Sequence, residues 1–332
     1  MPPLEASSGS RRVVRAPASA RERAAERKQR LRPTAGTGDP AATSGVPAVL
    51  RTLDVRPSRR LGQNFLTDPR VAERIAALAD EVDPQGAVVE IGPGLGALTE
   101  RLARSGRAVV AVELDHRLAE RVETVLAAHS ASRVVQGDIL EQELAVLLPG
   151  EAPVTVVANL PYSITTPAIE WVLAQGTRVR VAYLMVQREV AQRMTATPGG
   201  KEFGSLSVFL SLHAEIEGLF RVSPGAFYPR PEVDSVVVRM KPRPFPGTTV
   251  AERMDAERLA RAATGGRRKT IGNALARGLG IAAEQSRELL RSSGIEATRR
   301  GESLSVEEWL TLARAWRAGG AAAGAPTDGG GQ

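Results

Sequence analysis

Between residues 88 and 186, short runs rich in Val, Ile and Ala alternate with stretches in which apolar residues recur at every third or fourth position. Short continuous apolar runs read as buried strands and the periodic stretches as helices packed on them, so the alternation predicts a parallel sheet covered by helices. The predicted strands are Val88–Ile91, Val109–Val112, Arg133–Gln136, Val154–Ala158 and Val179–Val186, with helices at Leu98–Ala103, Arg117–Ala127 and Pro167–Ala174. Glu215–Val222 and Val233–Met240 read as a strand pair joined through a Pro/Gly-rich loop. Beyond the Pro-rich linker Pro242–Pro246 the period is helical only, at Ala251–Ala263, Lys269–Leu279, Ala283–Ser292 and Ser305–Trp316. The pattern predicts an α/β domain over residues 51–246 and a small all-α domain over 247–318.

The ends of the chain carry a different pattern. Residues 1–50 are rich in Ala, Arg, Pro, Ser, Thr and Gly with no sustained apolar period, and are expected to be a disordered basic extension in which Ala18–Arg32 forms at most a transient helix. Residues 319–332 are Gly/Ala-rich and are expected to form a disordered tail. Charge sharpens the division. Residues 1–50 hold nine Lys/Arg against four Asp/Glu, residues 51–220 hold seventeen against twenty-one, and residues 221–277 hold twelve against five. A near-neutral body with a separate basic segment is the arrangement of a polyanion-binding catalyst, and also of an Arg-rich solvated surface.

Composition removes whole classes of chemistry. With no cysteine, disulfides, thiolate zinc sites and thiol nucleophiles are excluded, and the scattered His116, His129 and His213 predict no metal centre. No apolar run is long enough to span a bilayer and no apolar leader opens the chain, so a cytoplasmic protein without a membrane partner is expected.

Three strand ends carry candidate chemistry. Val88-Val-Glu-Ile-Gly-Pro-Gly-Leu-Gly96 places Gly92, Gly94 and Gly96 between a strand and a helix, where glycine lets the backbone turn tightly and approach a ligand. Nicotinamide and flavin folds use a G-x-G-x-x-G loop at the same point; the G-x-G-x-G spacing here, preceded by Glu90, resembles the first motif of class I methyltransferases. Glu113 in Ala111-Val-Glu-Leu-Asp115 ends the second strand, where a carboxylate can accept from both ribose hydroxyls of a nucleoside, as it also does in dehydrogenases. Asp138 follows the third strand and can accept from an adenine amine, with Leu114 and Ile139 as apolar walls; a turn-capping role is the alternative.

Asn159-Leu-Pro-Tyr162 at the end of the fourth strand discriminates among these. It matches the signature of methyltransferases acting on an amine conjugated to a planar ring, whose lone pair is delocalised into the base. The Asn159 side-chain oxygen and the Leu160 carbonyl, aimed by rigid Pro161, can accept both N–H bonds and favour a pyramidal nitrogen, while Tyr162 stacks on the base. An adenine must be unstacked to reach such a pocket, which a loop permits more readily than a duplex.

From Pro57 to Trp316 the chain resembles the rRNA adenine dimethyltransferase family, most closely its small-subunit branch. The resemblance is carried by Arg59-Arg-Leu-Gly-Gln-Asn-Phe-Leu66, the glycine loop, the VELD, GDIL and NLPYSI strand ends, Leu184–Met194, Phe203–Val208, Val222–Pro231 and Arg267-Arg-Lys-Thr270. It implies a class I (Rossmann-like) S-adenosylmethionine-dependent methyltransferase sheet with a small C-terminal all-α domain. It further implies that Asn64 and Leu66 close over the cofactor, that Gly92, Glu113, Asp138 and Asn159 contact cofactor or target, and that Phe227 offers a second aromatic face opposite Tyr162. Arg59, Arg60, Arg188, Arg267, Arg268 and Lys269 are the implied phosphate contacts, each also readable as solvated surface. The implied reaction is N6-dimethylation of two adjacent adenines in the 3′-terminal hairpin of small-subunit rRNA within an immature 30S subunit; a monomer is the default expectation. The chain departs from the family at Thr264-Gly265-Gly266, where an aromatic and a glutamine are common. The competing readings are a large-subunit rRNA methylase of the macrolide-resistance type, a non-catalytic ribosome assembly factor, and a nicotinamide oxidoreductase. Gly294-Ile295 and Arg299-Arg-Gly-Glu-Ser-Leu304 favour the small-subunit branch, the intact NLPY argues against lost activity, and the glycine spacing argues against the oxidoreductase.

Overall fold

The computed structural model describes residues 40–58, 62–264 and 269–320, with side chains described from residue 45 onward. Ala18–Arg32, Arg59, Arg60, Arg267 and Arg268 lie outside the described residues. In chain order the elements are α1 (Pro40–Thr52), β1 (Phe65–Leu66), α2 (Pro69–Val82), β2 (Val88–Ile91), α3 (Thr99–Ala103), β3 (Val109–Glu113), α4 (His116–Leu126), β4 (Arg133–Gln136), α5 (Leu144–Leu147), β5 (Val154–Asn159) and α6 (Thr165–Ala174). They continue with β6 (Val179–Gln187), α7 (Arg188–Met194), α8 (Ser205–His213), β7 (Ala214–Val222), β8 (Phe227–Tyr228), β9 (Ser235–Pro242), α9 (Val250–Thr264), α10 (Ile271–Leu279), α11 (Ala283–Ser292) and α12 (Val306–Ala318).

One seven-stranded sheet runs β4-β3-β2-β5-β6-β9-β7, parallel throughout except for β9, which pairs antiparallel with both neighbours. Its central strands β2, β3 and β5 are mostly apolar because both faces are covered; Glu90, Glu113, Thr155 and Asn159 are the exceptions. Val89, Ile91, Val110 and Val112 pack on one face with Ala168, Ile169 and Val172 of α6. Val88, Val109 and Ala111 pack on the other with Val71, Ile75 and Ala79 of α2 and Val122 of α4. Asp68 starts α2 by accepting from the Arg70 amide at 2.9 Å, ahead of Pro69 at the first helical turn. The chain builds β2, β3 and β4 in one direction and then returns to lay β5 on the other side of β2. That reversal opens a crevice at the carboxyl ends of β2 and β5, where ligands bind in folds of this type.

Helices α9 to α12 enclose their own apolar core, with Leu259, Leu275, Trp309 and Leu312 fully buried. This core also takes in Phe203, Val208 and Leu212, while Leu210 of the same helix α8 faces the core of the sheet. Helix α8 therefore belongs to both halves, and the boundary at residue 246 is crossed by shared packing.

Several expectations change. Residues 40–50 are not part of a disordered extension: they are helical, and Leu50 is 3% exposed. The apolar residues Val46, Leu50 and Leu53 share one helical face, but the period straddles residue 50, where the composition of the preceding segment had set the boundary. Helices α2, α5, α7 and α8 have no counterpart in the sequence pattern. The strand pair is β7 with β9, and β9 begins at Ser235, two residues later than expected. Likewise α10 begins at Ile271, with Lys269 and Thr270 preceding it.

Candidate active site

The glycine loop leaves β2 with Gly92 at φ 65° and Gly94 at φ 59°, a left-handed backbone that a side chain would strain. A Cβ on Gly94 would also lie 3.0 Å from the Phe65 ring, so loop and β1 are in close apposition. Gly96 does another job: a Cβ there would meet Val125 at 3.0 Å, so this glycine lets the loop pack on α4 and does not line the cleft. Glu113, 6% exposed, accepts from the amides of Gly94 at 3.0 Å and Asp115 at 3.1 Å. Burial pushes its carboxyl above the usual range, and those amide bonds pull it back.

The cleft has two lobes that meet at Gln63, Gly92, Glu113 and Pro161. One lobe, about 550 Å³, is walled by Leu114, Asp138 and Ile139. Asp138 also accepts from the Leu140 amide at 2.9 Å, so the capping role weighed for it is present while it still lines this lobe. The other lobe, about 700 Å³, is lined by Asn64, Leu66, Glu90, Gly94, Asn159, Leu160 and Tyr162.

Asn159 ends β5 beside Met185 of β6, and its side-chain amide donates to the Asn64 carbonyl at 2.9 Å. With the nitrogen so engaged, the side-chain oxygen is the group left to accept from a ligand. The Leu160 amide donates to the Met185 carbonyl at 3.1 Å, and the Pro161 carbonyl accepts from Ile164 at 3.2 Å, fixing the turn that carries Tyr162. The Tyr162 hydroxyl bonds Ser235 and Gln187, which face each other across the β6–β9 pair, while burial raises its pKa. Gly62 lies against the Tyr162 backbone, where a Cβ would come within 2.8 Å.

Phe227 lies outside the cleft lining. Its backbone pairs with Leu66, and its ring is 4% exposed among core residues on the α2 face, lining neither lobe. Arg188 is half-exposed, with a guanidinium nitrogen 4.0 Å from Asp234, and Lys269 is exposed. Sequence reasoning passed over Gln63, Phe65 and Leu118, which also line the cleft; apolar or amide side chains outside the strand ends give no local chemical signal.

Glu90 decides how well the residues fit the expected cofactor. It is 2% exposed, and its Oε2 atom has no hydrogen-bond partner while lining the larger lobe. Its carboxyl is pushed up to about 8, chiefly by burial and with the help of the nearby Glu113 charge. A buried carboxyl with one unpartnered oxygen facing the cleft fits the ammonium of an amino-acid moiety, and Glu113 beside the glycine loop fits a ribose diol. These two groups, with the apolar adenine lobe, match S-adenosylmethionine.

The family model described as ribosomal RNA adenine dimethylase matches residues 56–317. The chain belongs to this family. Its members are S-adenosylmethionine-dependent adenine dimethyltransferases. A ribosomal RNA small subunit methyltransferase A of Moorella thermoacetica is 42% identical over 285 residues, 83% of this chain and 98% of the relative. The protein of the same name from Geobacter metallireducens is 42% identical over 272 residues, 81% of this chain and 98% of the relative. Among solved structures, the 23S rRNA methyltransferase ErmE superposes with a TM-score of 0.58 at 30% identity, over 76% of this chain and 99% of that one. A dimethyladenosine transferase from Plasmodium falciparum shares the fold at a TM-score of 0.65, 22% identity, and 77% and 98% coverage.

Among the described residues no group of three or more His, Asp or Glu side chains is placed to hold a metal, and no helix is long and apolar enough to cross a membrane.

Proposed function

We propose that this protein dimethylates N6 of two adjacent adenines in the 3′-terminal hairpin of small-subunit rRNA, acting as a monomer on an immature 30S subunit. S-adenosylmethionine supplies the transferable methyl on a sulfonium. Asn159 carries the reading of the chemistry: it lines the cleft and its nitrogen is tied to the Asn64 carbonyl, which supports a role for its oxygen as acceptor for the target amine. With the Leu160 carbonyl it accepts both N–H bonds and turns the lone pair out of the ring plane, and Tyr162 holds the base in line. Catalysis is then positioning and electrostatics, with no strong general base. Phe227, 4% exposed, is retained as the second aromatic face beside Tyr162.

The small-subunit target is favoured over the large-subunit one by identities of 42% to small-subunit relatives, against 30% to ErmE. The segment 247–318 is assigned to RNA recognition, with Arg188 and Lys269, and Arg59, Arg60, Arg267 and Arg268 beyond the described residues, as phosphate contacts. The experiment is mass mapping of adenine methylation after incubation with labelled S-adenosylmethionine and either unmethylated small subunits or large-subunit RNA. Dimethyladenine in the small-subunit hairpin is expected; methylation of large-subunit RNA alone would reassign the target.

A further inference from the structure

Helix α1 lies outside the residues matched by the family model, yet it packs on the wall of the cofactor cleft. Its Leu50, with Val55 just beyond it, forms a small separate core with Phe65 and Leu118, joined by Val46, Leu53, Leu95 and Tyr228. Three of those partners, Phe65, Leu95 and Leu118, line the cleft on their other side. Phe65 belongs to a two-residue strand whose sheet partner is the equally short β8, a ladder too small to hold itself in place. Its ring abuts Gly94 of the glycine loop, so a layer runs from Leu50 through Phe65 to the loop.

A polar link runs in parallel. Asp54, just past α1, has φ 51°, the only positive φ at a non-glycine among the described residues. A strained residue of this kind persists where its surroundings hold it. Its carbonyl accepts from Arg117 at 2.5 Å. The same guanidinium donates to both Asp115 oxygens, at 3.1 and 2.8 Å, and the Asp115 amide donates to Glu113 at 3.1 Å. Both the loop-facing ring and the ribose-facing carboxylate are thus backed by residues 46–55.

We propose that α1 and its following turn are a brace for the cofactor site, with Leu50 and Val55 as positioning residues that hold the Phe65 segment and the Glu113–Asp115–Arg117 chain in their cofactor-binding arrangement. The inference rests on the reading of this cleft as the S-adenosylmethionine site. Loosening the brace lowers the fraction of molecules with a competent site, which raises the apparent dissociation constant by the inverse of that fraction. The chemistry on bound cofactor is untouched, because no residue of the brace reaches the target amine.

The test uses the full chain with Leu50→Ala and, separately, the pair Val46→Ala/Val55→Ala, with Leu312→Ala in the core of the helical region as a comparator of similar buried chemistry. S-adenosylhomocysteine affinity is measured by calorimetry, KM and kcat by methyl transfer, and amide hydrogen exchange over residues 62–66. The expected result is affinity weakened and KM for the cofactor raised by about tenfold, kcat within about twofold, and faster exchange at 62–66. Leu312→Ala should leave cofactor affinity unchanged, and Leu50→Met should restore it. Unchanged affinity and exchange in both brace variants, a loss confined to kcat, or an equal loss in Leu312→Ala would each overturn the brace. Failure of the unaltered chain to bind S-adenosylhomocysteine would instead remove the cofactor site beneath it.

Discussion

Asn159 combines two duties that can be separated by measurement. Replacing it with Ala removes the acceptor for the target amine and the bond to the Asn64 carbonyl. The expected loss is about 100-fold or more in kcat, the magnitude seen when one preorganised transition-state partner is removed, read by methyl transfer at saturating cofactor. Glu90 gives a pH signature. A carboxyl whose folded pKa is about 8, above its reference value of 4.5, binds the proton more tightly in the folded state. Stability therefore falls as pH rises through that window and levels off above it. Glu90→Gln should raise the melting temperature of the cofactor-free protein at about pH 9 and change it far less at about pH 5. If the ammonium of S-adenosylmethionine sits beside Glu90, binding ionises the carboxyl and releases a proton below pH 8. Calorimetry in two buffers of different ionisation enthalpy would detect that proton in the native protein and not in Glu90→Gln, and equal heats in both buffers for the native protein would refute the pairing.

At the scale of the element, α8 shows why some helices hide in a sequence. Ser205–His213 reads SLSVFLSLH, apolar on several faces because Leu210 enters the core of the sheet and Val208 and Leu212 enter that of the helical region. A helix buried on both sides loses the amphipathic period by which helices are recognised. Helix α2 was missed for a different reason: three of its five buried residues, Ala72, Ala76 and Ala79, are alanine, which marks a buried face weakly. Helix α8 should be the seam between the two halves. Leu210→Ala, at a site with no solvent exposure, is expected to cost about 2–5 kcal/mol, measured as a lower denaturant midpoint reported alike by probes in both halves. Two separate transitions would show that the halves unfold independently.

For the whole molecule, the basic excess of residues 221–277 makes a prediction about salt. RNA affinity should fall steeply with ionic strength, and neutralising Arg188 or Lys269 should each lower the slope of log K against log salt by up to about 0.7–0.9. Cofactor affinity should change little over the same range, since the polar partners proposed for it, Glu90 and Glu113, are buried. Filter binding over a salt series checks both; an Arg188→Ala protein with an unchanged slope would take that residue out of the RNA contact.

What the sequence by itself determined is whatever depends on near neighbours. Apolar runs set the strands, glycines set the turn after β2, and Glu113, Asp138 and Asn159 stand at strand ends because a loop begins where the apolar run stops. These features determined the sheet and set the polar groups along its edge, while the cofactor class and the target chemistry came through the family resemblance that the ordered motifs carry. Tertiary structure alone decided what meets across long stretches of chain. It placed the Asn64 carbonyl on the Asn159 amide, 95 residues apart, and the Phe65 ring on Gly94. It also buried Phe227 in the core on the α2 face and set α1 behind the cleft. No local pattern encodes such contacts, because they arise when the return of β5 to β2 and the pairing of β1 with β8 bring distant surfaces into van der Waals reach.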